Sequence, residues 1–221
     1  MRVLVIGDFH VPDRSTEVGI GVDDSIVHES MRRKIDFLAC TGDLTKAELV
    51  EPILSSWCSE YAVVQGNMDY DLRNAKGFPR KYLFDTGKYL PDSQEIIKIG
   101  TTHGHQVEAQ GASRGDLTSL SEVAREYDVN ILISGHTHAA STTLFTGKDD
   151  EKTTLLLNPG SATGAWSFVA SMIPSYMMLD IMPARQKLEV TITTHEFLDG
   201  KEDKISESFE FFNGTFTKGT R

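Results

Sequence analysis

Two cysteines, Cys40 and Cys58, are all that the 221 residues contain, too few for a disulfide framework. Both thiols are expected to be reduced, and Cys40 lies inside an apolar run, which predicts burial. No run of about 18 apolar residues is present to span a bilayer. The apolar segment at the start, Met1 to Ile6, is too short for a signal peptide and leads directly into Gly7-Asp8, so the chain is expected to be cytosolic. Basic residues are also in short supply: 22 Lys and Arg face 32 Asp and Glu, for a formal net charge of −10. Binding to a phosphate backbone depends on Lys and Arg displacing counterions, so nucleic acid is not an expected partner. What remains, 39% hydrophobic and 24% charged, is an ordinary soluble composition, and 221 residues lie within the range of one α/β domain.

The stretch around which the chain is organised is Ile131 to His138, an apolar run that ends in Ser134-Gly135-His136-Thr137-His138. A strand breaking at Gly135 leaves both histidines on a loop at its C-terminal end, the usual place for a site in α/β folds. Four other segments match it: Gly7-Asp8-Phe9-His10, Gly42-Asp43, Gly66-Asn67-Met68-Asp69 and His103-Gly104-His105. Three of the four directly follow apolar runs. Together they offer carboxylate, amide and imidazole donors, a mixed oxygen and nitrogen set that suits zinc, manganese or iron.

Strands are predicted at Val3 to Gly7, Ile35 to Cys40, Tyr61 to Gln65, Glu95 to Ile99 and Asn130 to Ser134. Helical spacing predicts a helix over Thr45 to Ser59, with Leu49, Val50, Ile53, Leu54 and Trp57 on one face, Thr45 as N-cap, and Pro52 bending or dividing it. A second covers Ser119 to Tyr127, with Leu120, Val123, Ala124 and Tyr127 on one face. Thr16 to Arg33 reads as loop plus a short helix, and Asp71 to Leu90 as loop or short helix. After His138 the pattern turns to hairpins: Thr142 to Phe145 with Thr153 to Leu157 around an acidic turn, and Tyr176 to Ile181 with Leu188 to Thr194, then a last strand at Ser206 to Phe212. His28 and His195 are expected to be surface or satisfied core residues, and Asn213-Gly214-Thr215 a turn.

Asp-x-His, Gly-Asp, Gly-Asn-x-Asp, an isolated His and Gly-His-x-His, in this order, resemble the calcineurin-like metallophosphoesterases. The resemblance implies an α/β fold, a four-layer αββα sandwich with two mixed β-sheets, formed as a single domain with a divergent tail after about residue 200. Longer segments, among them Tyr127 to His138 and Asn158 to Ala165, resemble the phosphoesterase-like subunit of retromer, the endosomal cargo-sorting coat.

That resemblance implies two divalent ions, zinc or manganese. One is held by Asp8, His10 and His138, the other by Asn67, His103 and His136, with Asp43 as the bridge. A carboxylate has two oxygens and can join ions about 3.5–4 Å apart, while imidazoles and an amide limit the charge collected in one place. Asp69 and His105 are expected just outside the ligand set. Met68 stands where active relatives often carry a proton-donating His, so no catalytic residue is assigned there. The implied role is a scaffold in endosomal cargo sorting and retrograde transport, bound to a helical-solenoid retromer subunit and to trafficking regulators, cytoplasmic and peripheral on the endosome membrane through the complex only. A di-metal phosphodiesterase or phosphatase is the alternative. Met178 and Ile192 are the expected regulator-binding residues, and Glu108 to Arg114 the loop toward the solenoid, with Glu108 charged where an apolar anchor is expected.

Overall fold

The computed structural model describes residues 1–69, 77–147 and 152–219. Three N-terminal apolar runs form β1 (Arg2–Ile6), β2 (Phe37–Cys40) and β3 (Tyr61–Val63), parallel to one another. They continue into a seven-stranded sheet through β9 (Ser175–Ala184), β10 (Lys187–Leu198), β11 (Lys201–Phe212) and β12 (Thr215–Lys218), all antiparallel to their neighbours, in the order β12-β11-β10-β9-β1-β2-β3. The second sheet has the order β4-β5-β6-β8-β7, built from β4 (Lys81–Asp85), β5 (Lys98–Thr102), β6 (Ile131–Ile133), β7 (Ala140–Thr146) and β8 (Thr153–Pro159). Its β5, β6 and β8 are parallel and its two edge strands antiparallel. Both sheets are mixed, as the resemblance implies.

Three apolar clusters define four layers. Val3, Val5, Phe37, Ile99, Ile131 and Leu155 are among the residues packed between the sheets. The other face of the seven-stranded sheet, with Leu4, Ile6 and Leu38, is covered by α1 (Val22–Arg32) and α2 (Ala47–Trp57), which bury Ile26, Val50 and Leu54. On the far side of the second sheet, α4 (Leu117–Glu126) buries Leu120, Val123 and Ala124 against Leu132 and Leu156. Short α3 (Gln106–Ala109) adds Val107 to that layer. No helix among the described residues is long and apolar enough to cross a membrane.

The helix at Ser119 to Tyr127 starts two residues early, because Asp116 caps it by accepting from the Ser119 N–H at 2.7 Å. Thr45 is not the cap of α2: its φ is 69° and its own N–H is bonded to Asp69 at 3.0 Å. Pro52 sits inside α2 without dividing it, and Leu49 is exposed, not packed. Thr16 to Arg33 holds a three-turn helix that begins after Gly21. The region expected as loop before Leu90 contains β4, and its residues 70–76 lie outside the described residues, as do 148–151 of the acidic turn. The tail carries more than the one expected strand, since β11 pairs with β10 from Lys201 onward and β12 follows it.

Met178 and Ile192 do not form a surface patch. Alternation does send Met178 opposite Met177 and Leu179, but the face it reaches is the one under α1 and α2, and it is 1% exposed. Ile192 is likewise 1% exposed and points to the other core, between the sheets. The expected regulator-binding pair is therefore corrected to two separate core positions. His195 is a satisfied core residue, stacked on Tyr176 at 4.3 Å with Nδ1 at 2.7 Å from Glu202, whereas His28 is exposed.

An ionic cluster joins β1, α1 and β11. Glu29 accepts from Arg2 at 2.6 Å and from Lys204 at 3.0 Å, and its side chain is nearly buried. Burial alone raises its carboxyl, but hydrogen bonds from Lys204 and Arg2 outweigh that and hold it at about 2. A carboxyl depressed in the folded state contributes stability above its ordinary range and loses it as pH falls toward the folded value. Acid denaturation between about pH 4.5 and pH 2 should therefore be less steep in Glu29→Gln than in wild type, as measured by denaturant midpoints across that range. Met178→Ala should lower stability by roughly 2–5 kcal/mol in chemical denaturation, the cost of a large-to-small change in a packed core.

Candidate metal centre

The C-terminal ends of the parallel strands of both sheets meet at one edge. Gly7-Asp8 follows β1, Gly42-Asp43 follows β2, Gly66-Asn67 follows β3, His103 follows β5, and Gly135-His136 follows β6. The approach is close enough to require glycine. A Cβ at Gly135 would lie 2.3 Å from Asp8 Oδ2, and one at Gly66 would lie 2.0 Å from Asp43 Oδ1. Five proposed ligands, Asp8, His10, Asp43, His136 and His138, have φ between 50° and 71°, the left-handed region that L residues seldom adopt. Sharp turns of this kind are what aim successive side chains into one pocket, at a cost of order 1–3 kcal/mol each.

The donor atoms converge. His138 Nε2 lies 3.2 Å from Asp8 Oδ1 and 3.0 Å from His10 Nε2. His10 Nε2 and His103 Nε2 each lie 3.4 Å from Asp43 Oδ2, and His103 Nε2 lies 3.0 Å from Asn67 Oδ1. Ligand atoms about 2.0–2.2 Å from a shared ion are roughly 3–3.5 Å apart, so these spacings fit a divalent cation. The meeting of His10 and His138 through two ring nitrogens supports the same fit: one N–H can serve only one of them, whereas an ion serves both. Asp43 faces both groups of donors, as a bridging carboxylate must.

Surrounding bonds fix the donors. His103 Nδ1 lies 2.7 Å from the Thr41 carbonyl and His138 Nδ1 2.8 Å from the Ala165 carbonyl, so each gives Nδ1–H away and turns Nε2 toward the site. Asp43 Oδ1 accepts from the Met68 N–H at 2.7 Å, leaving Oδ2 for the site. Asp69 accepts from the N–H groups of Gly66 at 2.8 Å, Asp43 at 2.9 Å and Thr45 at 3.0 Å, so it holds the turn and not a histidine. Burial pushes His10 and His136 down to about 4, which leaves these imidazoles neutral, the form that binds metal. Burial also lowers His103, but the Asp43 hydrogen bond and the charges of Asp8 and Asp43 reverse this and raise it to about 9.

Six of the seven proposed ligands thus face one another. The seventh, His136, packs edge-on against His103 with ring centroids 5.0 Å apart, but its Nε2 is bonded to Glu108 at 2.8 Å. His105 follows Gly104, whose φ is 104°, and its ring lies 5.3 Å from that of His103, outside the ligand set. The sequence alone presents Glu108 only as a charge where an apolar anchor is expected in a partner loop. The available signal was its place three residues after His105 in a short histidine-rich segment.

Titrating the metal-free protein with zinc should raise its melting temperature, because a ligand of the native state stabilises by about 2.7 kcal/mol at 100 times its Kd. For a chain of this size that corresponds to roughly 5–10 °C. Calorimetry and metal analysis of Asp43→Ala should show most of this shift lost; an unchanged metal content would show the donors to be assigned wrongly.

Residues 1–183 match the calcineurin-like phosphoesterase superfamily domain. Vacuolar protein sorting-associated protein 29 of Schizosaccharomyces pombe is 32% identical over 193 residues, 83% of this chain and 87% of that protein. Two solved structures show the same architecture. Wild-type Vps29 from Entamoeba histolytica, complexed with Zn2+, is 34% identical with a TM-score of 0.72, over 94% of this chain and 99% of that one. Vps29 from Cryptosporidium parvum is 28% identical with a TM-score of 0.71, over 94% and 97%. By domain match, identity and coverage, the chain belongs to the calcineurin-like phosphoesterase superfamily and, within it, to the vacuolar protein sorting-associated protein 29 family.

Proposed function

We propose that the chain is the phosphoesterase-like subunit of a retromer coat, a cytoplasmic scaffold for endosomal cargo sorting and retrograde transport that works as one domain. It reaches the endosome membrane through the complex, binding a helical-solenoid subunit and trafficking regulators. Its metal centre takes two ions, zinc or manganese, with Asp43 between them. The observation that carries the reading is an apolar rim built onto the centre itself. Trp166 is 53% and Phe168 81% exposed, with Val169 and Met172 beside them. This segment is tied to the ligand loop by Ser167 Oγ donating to the Thr137 carbonyl at 2.7 Å and by the His138 bond to Ala165. Exposed aromatic residues on an anchored loop suit a docking face for another protein.

Met68 supports the same reading. Its backbone holds Asp43, but its thioether has no proton to give a leaving oxygen, and the contribution of a general acid is typically about 10²–10⁴-fold. A di-metal phosphodiesterase is the second reading, favoured by the completeness of the donor set around Asp43 and Asn67. When bound, such ions polarise a phosphoryl oxygen and activate water.

Phe168→Asp should abolish binding of the purified helical-solenoid subunit while leaving zinc content and melting unchanged. Retained binding would remove the rim from the interface. Wild type should cleave activated aryl diesters slowly and alkyl phosphates hardly at all, and Met68→His should improve only the poor leaving groups. Efficient wild-type turnover of a natural phosphoester would overturn the scaffold reading.

A further inference from the structure

Glu108, in the short helix α3, sits outside the ligand set, yet it touches the centre. Its Oε1 lies 2.8 Å from His136 Nε2 and 2.7 Å from Arg114 Nε. A carboxylate offers only acceptors when ionised, so Nε2 must be the donor. Two neighbouring histidines of the centre, His103 and His138, are held the opposite way round: backbone carbonyls take Nδ1–H and leave Nε2 toward the donors. At His136 the acceptor is charged and takes the other nitrogen. Rotation of the ring is limited by His103 at 5.0 Å and His105 at 6.1 Å, both edge-on. Arg114 in turn restrains the carboxylate, and its guanidinium lies 5.7 Å from the Phe168 ring, at the apolar rim.

We propose that Glu108, held by Arg114, is a positioning residue for His136: it keeps the proton on Nε2 and so makes Nδ1 the nitrogen offered to an ion. A carboxylate behind a ligating imidazole fixes its orientation and raises its basicity, and loss of such a partner typically weakens metal binding about 10–100-fold. The charge that looks out of place in a partner-facing loop thereby gains a role in the centre. This inference rests on the two-ion reading, in which His136 serves the ion shared with Asn67 and His103.

The test is calorimetric titration of the metal-free protein with zinc, repeated with cobalt so that its absorption spectrum reports the ligand field. Wild type should take up two ions. Glu108→Ala should weaken one of them about 10–100-fold and alter the cobalt spectrum, with the other ion and the melting of the metal-free protein unchanged. Glu108→Gln should recover most of the affinity, since an amide oxygen still accepts from Nε2–H. Unchanged binding in Glu108→Ala overturns the inference. So does tighter binding, which would show the carboxylate competing with the ion for His136. Failure of Glu108→Gln to recover affinity also overturns it. If wild type takes up one ion and His136→Ala loses nothing, the two-ion reading itself falls.

Discussion

The bond from the His136 N–H to the Asp8 carboxylate, 3.0 Å to Oδ2, is the contact on which the rest of the arrangement depends. Asp8 follows a strand of one sheet and His136 a strand of the other, so this carboxylate joins two sheets that share no backbone ladder. The missing side chain at Gly135 is what lets the backbone come that near. The Asp8 carbonyl accepts from Ser161 Oγ at 2.7 Å, so the loop after β8 is drawn to the same point. Two acidic side chains, Asp8 and Asp43, are fully buried in this region, and burying ionised groups is costly unless they are hydrogen-bonded or paired. Here the compensation comes from backbone N–H groups and imidazoles.

How far the sequence reveals this depends on what each residue must satisfy. Most of the proposed ligands were legible because Asp8, Asp43, Asn67 and His136 each follow a short apolar strand and a glycine, a pattern that places them at strand ends in an α/β fold. The helix α4 was legible from four apolar positions at helical spacing. The outer strands β11 and β12 were harder. Lys201 to Lys204 is a polar run and the Ile205 after it is exposed, so the segment holds strand geometry because β10 offers β11 an eleven-residue antiparallel register, not because it buries a face of its own. Tertiary pairing outweighs local propensity there.

Met178 shows a different limit. Period-two alternation placed its side chain correctly, but alternation says nothing about which face of a strand meets water. The covering helices come from residues 22–57, far from Met178 in the chain. Glu108 shows a third. A lone glutamate reads as a surface charge until its distance to His136 is known, and no spacing rule relates two residues 28 positions apart.

The turns at the ligand residues have a consequence for how such a chain can change. Their left-handed backbone goes with interactions that are internal to the protein: N–H groups on Asp8 and Asp43, a carbonyl on His138, and glycines packed against the neighbouring strand. The staples that close the two halves of the molecule are therefore the same atoms that would serve chemistry. A change at Asp8, Gly135 or Ser161 would therefore reach beyond the donor cluster and loosen the closure between the two sheets.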